Sequence, residues 1–121
     1  MTANIDLAKD VARSYLEQNG YEIVDFNWED SAMQGSIDVV AIKSRDILVF
    51  ADVSASCWGP SAVAADPRDE PRRRRLAERW LAAHPEKNHD GKTMRFDKLY
   101  VTNLNGKGDI FLKHIVDMFH M

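Results

Sequence analysis

With 121 residues, 45% of them apolar and 29% charged, the chain can build one hydrophobic core but not two, which predicts a single domain over residues 1–121. The 16 basic residues against 19 acidic ones leave a net charge of −3, so no global positive field marks a nucleic-acid binder, and any such contact must be a local patch. The opening MTANIDLAKD lacks the basic start and apolar run of an export signal, and no stretch has the length and apolarity of a membrane span. A lone Cys57 gives neither a disulfide nor a metal-ligand spacing; a cytoplasmic, membrane-free protein is expected, with Cys57 a small buried apolar side chain beside Trp58.

In chain order, Ile5, Leu7, Ala8, Val11, Ala12, Tyr15 and Leu16 recur at three- and four-residue spacing, which predicts a helix over residues 4–19 capped by Asn4 and stopped by Gly20. Residues 21–28 alternate and are rich in aromatic and β-branched types, predicting a strand, and polar residues 29–35 predict a loop. Residues 36–43 and 47–54 are apolar on both faces, as central strands are, with Ser44, Arg45 and Asp46 as the turn of a buried hairpin. Gly59, Pro60, Pro67 and Pro71 mark residues 58–71 as a surface connection. A helix is expected over residues 72–84, with Leu76, Ala77, Trp80, Leu81 and His84 on one stripe. Residues 86–93 read as a hydrophilic loop, 95–102 as a fourth strand and 103–108 as a turn; residues 110–119 form an apolar segment of either type.

Chemistry concentrates in the hairpin. If Lys43 pairs with Ile47, facing residues set Asp38 opposite Asp52 and Ser36 opposite Ser54. Directly opposed side chains have Cβ atoms about 5 Å apart, so both carboxylates can reach one cation. Asp52 sits within VFADVS where an apolar side chain would pack better, and two facing acids repel unless a metal or a cation lies between them. A hard ion such as Mg²⁺ resolves the conflict; so does a splaying of the strands that leaves both acids solvated.

The segments AKDVARSYLEQNGYEIV, FNW, GSIDVVA, LVFADVS, ADPRDEPRRRRLAERWL, RFDKLYVT and HIVDMF, in this order and along nearly the whole chain, resemble the YraN-like family of the PD-(D/E)XK superfamily. The resemblance implies an α/β, restriction-endonuclease-like core: a central mixed β-sheet of about four to five strands flanked by helices. It also implies a site where a G-E-I-D aspartate and an E-V-K triplet hold Mg²⁺ and position an attacking water. Gly35, Ile37 and Asp38 match the first motif, and Asp52, Val53 and Ser54 occupy the second. The resemblance therefore assigns Asp38 and Asp52 as metal ligands and, with Ser54 and Lys9, as the catalytic positions.

The chain departs from that pattern at three polar positions: Ser36 replaces the motif glutamate, Ser54 the motif lysine, and Lys9 a glutamate on the first helix. Asp52 also shortens the triplet's glutamate by one methylene. A serine at position 54 can neither polarise a water nor stabilise a phosphorane at neutral pH, and losing such a group typically costs on the order of a hundredfold to a thousandfold in rate. Lys9 is the candidate replacement, its ammonium neutralising Asp38 and Asp52; the alternative is an ordinary solvated helix residue beside Asp10. Lys43, at odd spacing from Asp38, is expected on the other sheet face.

A second candidate feature is Arg68 with Arg72, Arg73, Arg74, Arg75 and Arg79, of which Arg68, Arg72, Arg73 and Arg75 are the expected nucleic-acid contacts. The neighbouring Asp66, Asp69, Glu70 and Glu78 offer the competing account of a self-compensated, solvated face. His84, His89, His114 and His120 have no metal-ligand spacing, and His114 is expected to be packed or hydrogen-bonded. Three functions follow: a nuclease-fold protein that binds DNA or other nucleic acid with weak or no cleavage, a Mg²⁺-dependent endonuclease using Asp38 and Asp52 with Lys9, and a protein-interaction or homodimerisation module exposing Trp58, Met118 and Phe119.

Overall fold

The first helix begins where Asn4, extended in backbone, accepts the Leu7 amide on its side chain at 3.0 Å, satisfying one of the free N–H groups of the first turn. It runs Ile5–Gln18 (α1) and buries Ala8, Ala12 and Leu16, a stripe at four-residue spacing whose two alanines let the helix sit close to a sheet. Gly20, at φ 83°, then turns the chain into the first strand through a conformation that side chains disfavour. The structure, a computed structural model, describes residues 4–32, 35–57, 66–85, 89, 91–104 and 108–119.

Five strands form one sheet in the order of the chain: β1 Tyr21–Asp30, β2 Gly35–Lys43, β3 Ile47–Ala55, β4 Thr93–Thr102 and β5 Phe111–Ile115. All neighbours are antiparallel except β3 and β4, which run parallel across a connection containing a short 3-10 turn, Pro67–Asp69, and the helix α2, Glu70–Ala83. The sheet is therefore mixed, with helices on both faces, as the restriction-endonuclease-like class requires. On one face Ala8, Ala12 and Leu16 of α1 pack with Val39, Ala41, Val49, Ala51, Leu99 and Val101. On the other, Leu76, Ala77 and Trp80 of α2 pack with Val40, Leu48, Phe50 and Phe96.

Several boundaries differ from the sequence expectation. Of the loop expected over residues 29–35, Glu29, Asp30 and Gly35 are strand, because Glu29 and Asp30 continue the β1–β2 ladder opposite Ser36 and Gly35. The second helix begins at Glu70 rather than at residue 72: Pro71 sits in its first turn, where the missing N–H costs nothing because no carbonyl precedes it to accept. The fourth strand begins at Thr93, two residues early, whose amide donates to the Asp46 carbonyl at 2.8 Å. The final apolar segment is a strand followed by a reversal at Asp117, φ 57°.

That reversal overturns one expectation. Met118 and Phe119 are not exposed: the Met118 amide donates to the Phe96 carbonyl, and both side chains pack on the α2-side core, Phe119 with its ring 6.0 Å from that of Phe96. Trp58 lies outside the described residues, as do Gly59, Pro60 and His120. Cys57 is buried, as expected, at 3% exposure. Among the described residues no helix is long and apolar enough to cross a membrane.

Candidate functional site

The site forms where β2 and β3 part company. Their ladder runs from Lys43↔Ile47 to Val39↔Ala51, the register set by the three-residue turn, and then stops. Alternation on β2 breaks at the next residue, Asp38: Ile37 packs in the α2-side cluster and Val39 in the α1-side cluster. On β1, Asn27, between the paired residues Phe26 and Trp28, takes φ 57°, a conformation asparagine tolerates. Asp38 accepts the Val53 amide on Oδ2 at 2.8 Å, so a carboxylate takes the donor that a ladder carbonyl would otherwise satisfy. Asp38 and Asp52 lie just beyond the last ladder pair, and their side chains interact.

Ser36 and Ser54 do not meet. Extrapolating the register two pairs further fails because the strands have separated: Ser36 pairs with Glu29 of β1, and Ser54 pairs with Tyr100 of β4. Ser36 lines the cleft that holds Asp52, whereas Ser54 lines a shallow depression with Tyr100 and Thr102.

Three cations converge on the carboxylate pair. Lys9 Nζ lies 3.3 Å from Asp38 Oδ1, with only 20% of its side chain exposed, so it is not the solvated helix residue that was the alternative. Arg73, on the first turns of α2, brings its guanidinium 3.1 Å from Asp52 Oδ2. Lys98 stands beside Asp52 in the parallel β3–β4 ladder and sets its ammonium 2.5 Å from the same oxygen. Lys43, at the far end of β2, donates to the Asn19 carbonyl and takes no part.

This environment divides the two acids. Burial pushes the Asp38 carboxyl above its ordinary range, its hydrogen bond with Asp52 adds to the rise, and the Val53 amide and Lys9 only partly offset it. Burial works against Asp52 too, but the Arg73 guanidinium, the hydrogen bond with Asp38 and Lys98 outweigh it and hold this carboxyl below the ordinary range. The two carboxyls are thus driven apart, Asp38 upward and Asp52 downward from the ordinary range.

Asp52 opens onto a cleft of about 600 Å³ between the end of β1, the start of β2 and the first turns of α2, lined also by Glu29, Asp30, Ser36, Arg72 and Arg73. Asp52 brings to it the carboxyl-terminal half of β3. Gly35 has no room for a side chain: a Cβ there would stand 2.8 Å from Leu76 Cδ2 and 3.0 Å from a terminal nitrogen of Arg72. A side chain at this position would have to displace the ends of Leu76 and Arg72, the residues through which α2 meets the start of β2.

The sequence comparisons fit this geometry. The model of the uncharacterised protein family UPF0102 matches residues 8–101, which run from α1 nearly to the end of β4 and include both members of the pair and Lys9, Arg73 and Lys98. This chain belongs to the UPF0102 family. That is the YraN-like family its motifs resemble. UPF0102 proteins of Frankia casuarinae and of a Parafrankia species are each 38% identical to it, over 92% and 88% of this chain and 91% and 86% of theirs. One from Bradyrhizobium diazoefficiens is 35% identical over 78% of this chain and 68% of its own.

As arranged, the carboxylates of this UPF0102 site are engaged by the protein's own cations. Two carboxylates face three cations already within ion-pair distance, one Asp38 oxygen holds a backbone amide, and among the described residues no group of three or more His, Cys, Asp or Glu converges. A hard dication needs several free oxygen ligands and would enter against repulsion from these cations.

The arginine run separates into distinct roles. Arg68 forks onto Asp66 and Arg74 pairs with Glu70, both exposed and self-compensating, while Arg79 is bound to the buried Asp30. Arg73 points at Asp52, Arg72 lines the cleft and Arg75 is exposed. Sequence reasoning missed Lys98, and also a second charged cluster on the α1 side. There Asp97, wholly buried, accepts from Arg95 at 2.9 and 2.7 Å and from the Asp117 amide at 2.9 Å, and its Oδ2 lies 2.7 Å from His114 Nε2. Tyr15 meets the other nitrogen of His114 at 3.0 Å, and Arg95 donates to the Tyr21 hydroxyl. His114 is thus hydrogen-bonded on both nitrogens, matching the expectation for it.

Proposed function

We propose that this UPF0102 protein binds a nucleic-acid backbone in the cleft over Asp52 and cleaves it weakly or not at all. The observation that carries the reading is the convergence of Lys9, Arg73 and Lys98 on the two carboxylates, beside a cleft whose α2 wall is Arg72 and Arg73. Lys9, Arg73 and Lys98 offset Asp38 and Asp52, and Glu29 and Asp30 line the same cleft. The attraction for a phosphodiester rests on the planar guanidinium groups of Arg72 and Arg73, which match its paired oxygens. Hydrolysis by the superfamily route needs a lysine at the second motif, where Ser54 stands beside Tyr100 instead. The reducing cytoplasm, where Cys57 stays a thiol, is the compartment this reading implies.

Fluorescence anisotropy with single-stranded, duplex and branched DNA across a salt series tests the proposal. Binding should weaken steeply with salt, and Arg72→Ala and Arg75→Ala should each flatten that dependence by about one phosphate contact. Affinity for none of these substrates, or affinity indifferent to salt and to both arginines, would refute it. The contact of Lys9 with Asp38 favours a second reading, an active Mg²⁺-dependent endonuclease with Lys9 in place of the motif lysine. Metal-dependent cleavage in the same assays, abolished by Asp38→Ala, would select that reading over binding alone.

A further inference from the structure

We propose that Lys98 is a built-in replacement for a divalent cation: its ammonium, on the same Asp52 oxygen as the Arg73 guanidinium, supplies the carboxylate pair with positive charge that a metal ion would otherwise bring. Lys98 lies on the α2-facing side of β4 between Phe96 and Tyr100, a position where an apolar residue would serve the core better. What it finds there is Asp52, its direct neighbour in the parallel ladder, with 16% of the lysine side chain and 19% of the aspartate side chain exposed. A half-buried carboxylate beside a second one requires compensating charge, and two elements supply it to Asp52 independently, α2 through Arg73 and β4 through Lys98.

The replacement accounts for two sequence departures together. With Ser54 in the motif, the triplet on β3 carries no cation of its own; Lys98 restores one from the adjacent strand, onto the same carboxylate. Lys9, standing where the family pattern has an acid, does the same for Asp38. A site that has exchanged acidic and metal charge for ammonium groups binds a phosphodiester by direct charge-assisted hydrogen bonds and has no need of added metal.

The inference rests on the reading of the cleft as a phosphodiester site only in naming the anion; the carboxylate–ammonium exchange is tested without nucleic acid. Mn²⁺ is titrated into wild type, Lys98→Gln, Lys98→Arg and the double variant Lys98→Gln/Asp52→Asn, by calorimetry and by the loss of the free-ion paramagnetic signal, with thermal melts to establish folding. Lys98→Gln should bind Mn²⁺ more tightly than wild type by about tenfold or more, since it removes a unit of positive charge in contact with a ligand oxygen. Lys98→Arg should keep the wild-type response, and the double variant should lose the gain. Wild type binding as tightly as Lys98→Gln, or a gain surviving in the double variant, would overturn the inference. Should Lys98→Gln fail to fold, Lys9→Gln makes the same test from the Asp38 side, with a gain supporting the exchange and none opposing it. A chain that gains Mn²⁺ affinity in this way but binds no DNA would defeat the proposed function and leave this inference standing.

Discussion

Two charged clusters are built on the same sheet, and they follow different principles. Around Asp97 a single carboxylate, wholly buried, meets Arg95 in a two-pronged contact, His114 and the Asp117 amide, so each oxygen is engaged and one aspartate faces one permanent cation. Burial alone would raise this carboxyl, but the hydrogen bonds from His114 and Arg95 outweigh it and hold it low. Around Asp38 and Asp52 there are two carboxylates, three cations and an open cleft, and the two acids are driven in opposite directions. A fully satisfied network joining β1, β4, β5 and α1 stabilises the fold. An unevenly satisfied one at the mouth of a cleft is what binding or proton transfer uses.

The largest expected effect tests the first half of that contrast. Asp97→Ala leaves Arg95 and two hydrogen-bonded partners buried without their acceptor, and should cost about 3–5 kcal/mol in chemical denaturation. A loss under about 1 kcal/mol would mean that the α1-side network is not the structural member it resembles.

A smaller effect is expected where α2 closes on the sheet. Gly35→Ala must push the buried Leu76 and the terminus of Arg72 outward, an overpacking of about 1–3 kcal/mol, and it should weaken DNA binding at the same time. The Asp97 substitution should instead leave binding by the still-folded fraction unchanged. Equal effects of both variants on binding would erase the distinction between the clusters.

Sequence patterns reveal features governed by local rules and miss those governed by distant packing. Residues 4–20 declare α1 because cap, stripe and stop all lie within one segment, and the hairpin register follows from a three-residue turn, so the ladder that ends just before Asp38 and Asp52 is legible. The supposed Ser36–Ser54 pair fails because the register was carried past the point where Asp38 takes the Val53 amide, an event no periodicity announces. Pro71 counts as a breaker in a pattern but as an acceptable N-terminal residue in the helix that forms. Lys98 does leave a trace, as a lysine between Phe96 and Tyr100 on one face of a strand. Which residue it meets depends on the register across a long parallel crossover, and that is fixed by how α2 packs. The same holds for His114 and Asp97, which become partners only once β5 lies beside β4.

The smallest expected effect is the most discriminating, because its sign changes with the kind of cluster. Asp97 titrates low in the folded state, so the stability it contributes is present above the ordinary carboxylate value of 3.8 and is lost as pH falls through its lowered value. Asp38 is raised, which reverses the sign: its contribution is complete below 3.8 and is lost as pH rises through its elevated value. Asp38→Asn keeps an oxygen for the Val53 amide and removes that titration, along with one member of the carboxylate pair. It gives up the ion pair with Lys9, so at neutral pH its stability should stay within about 1 kcal/mol of wild type. The difference between variant and wild type should move in favour of the variant between acid and neutral pH, a trend that melts at a series of pH values would show. A variant that instead loses ground steadily as pH rises would mean that Asp38 is held as a satisfied carboxylate like Asp97. The site would then be a second structural anchor, and its three cations a stabilising cage with no bearing on phosphate.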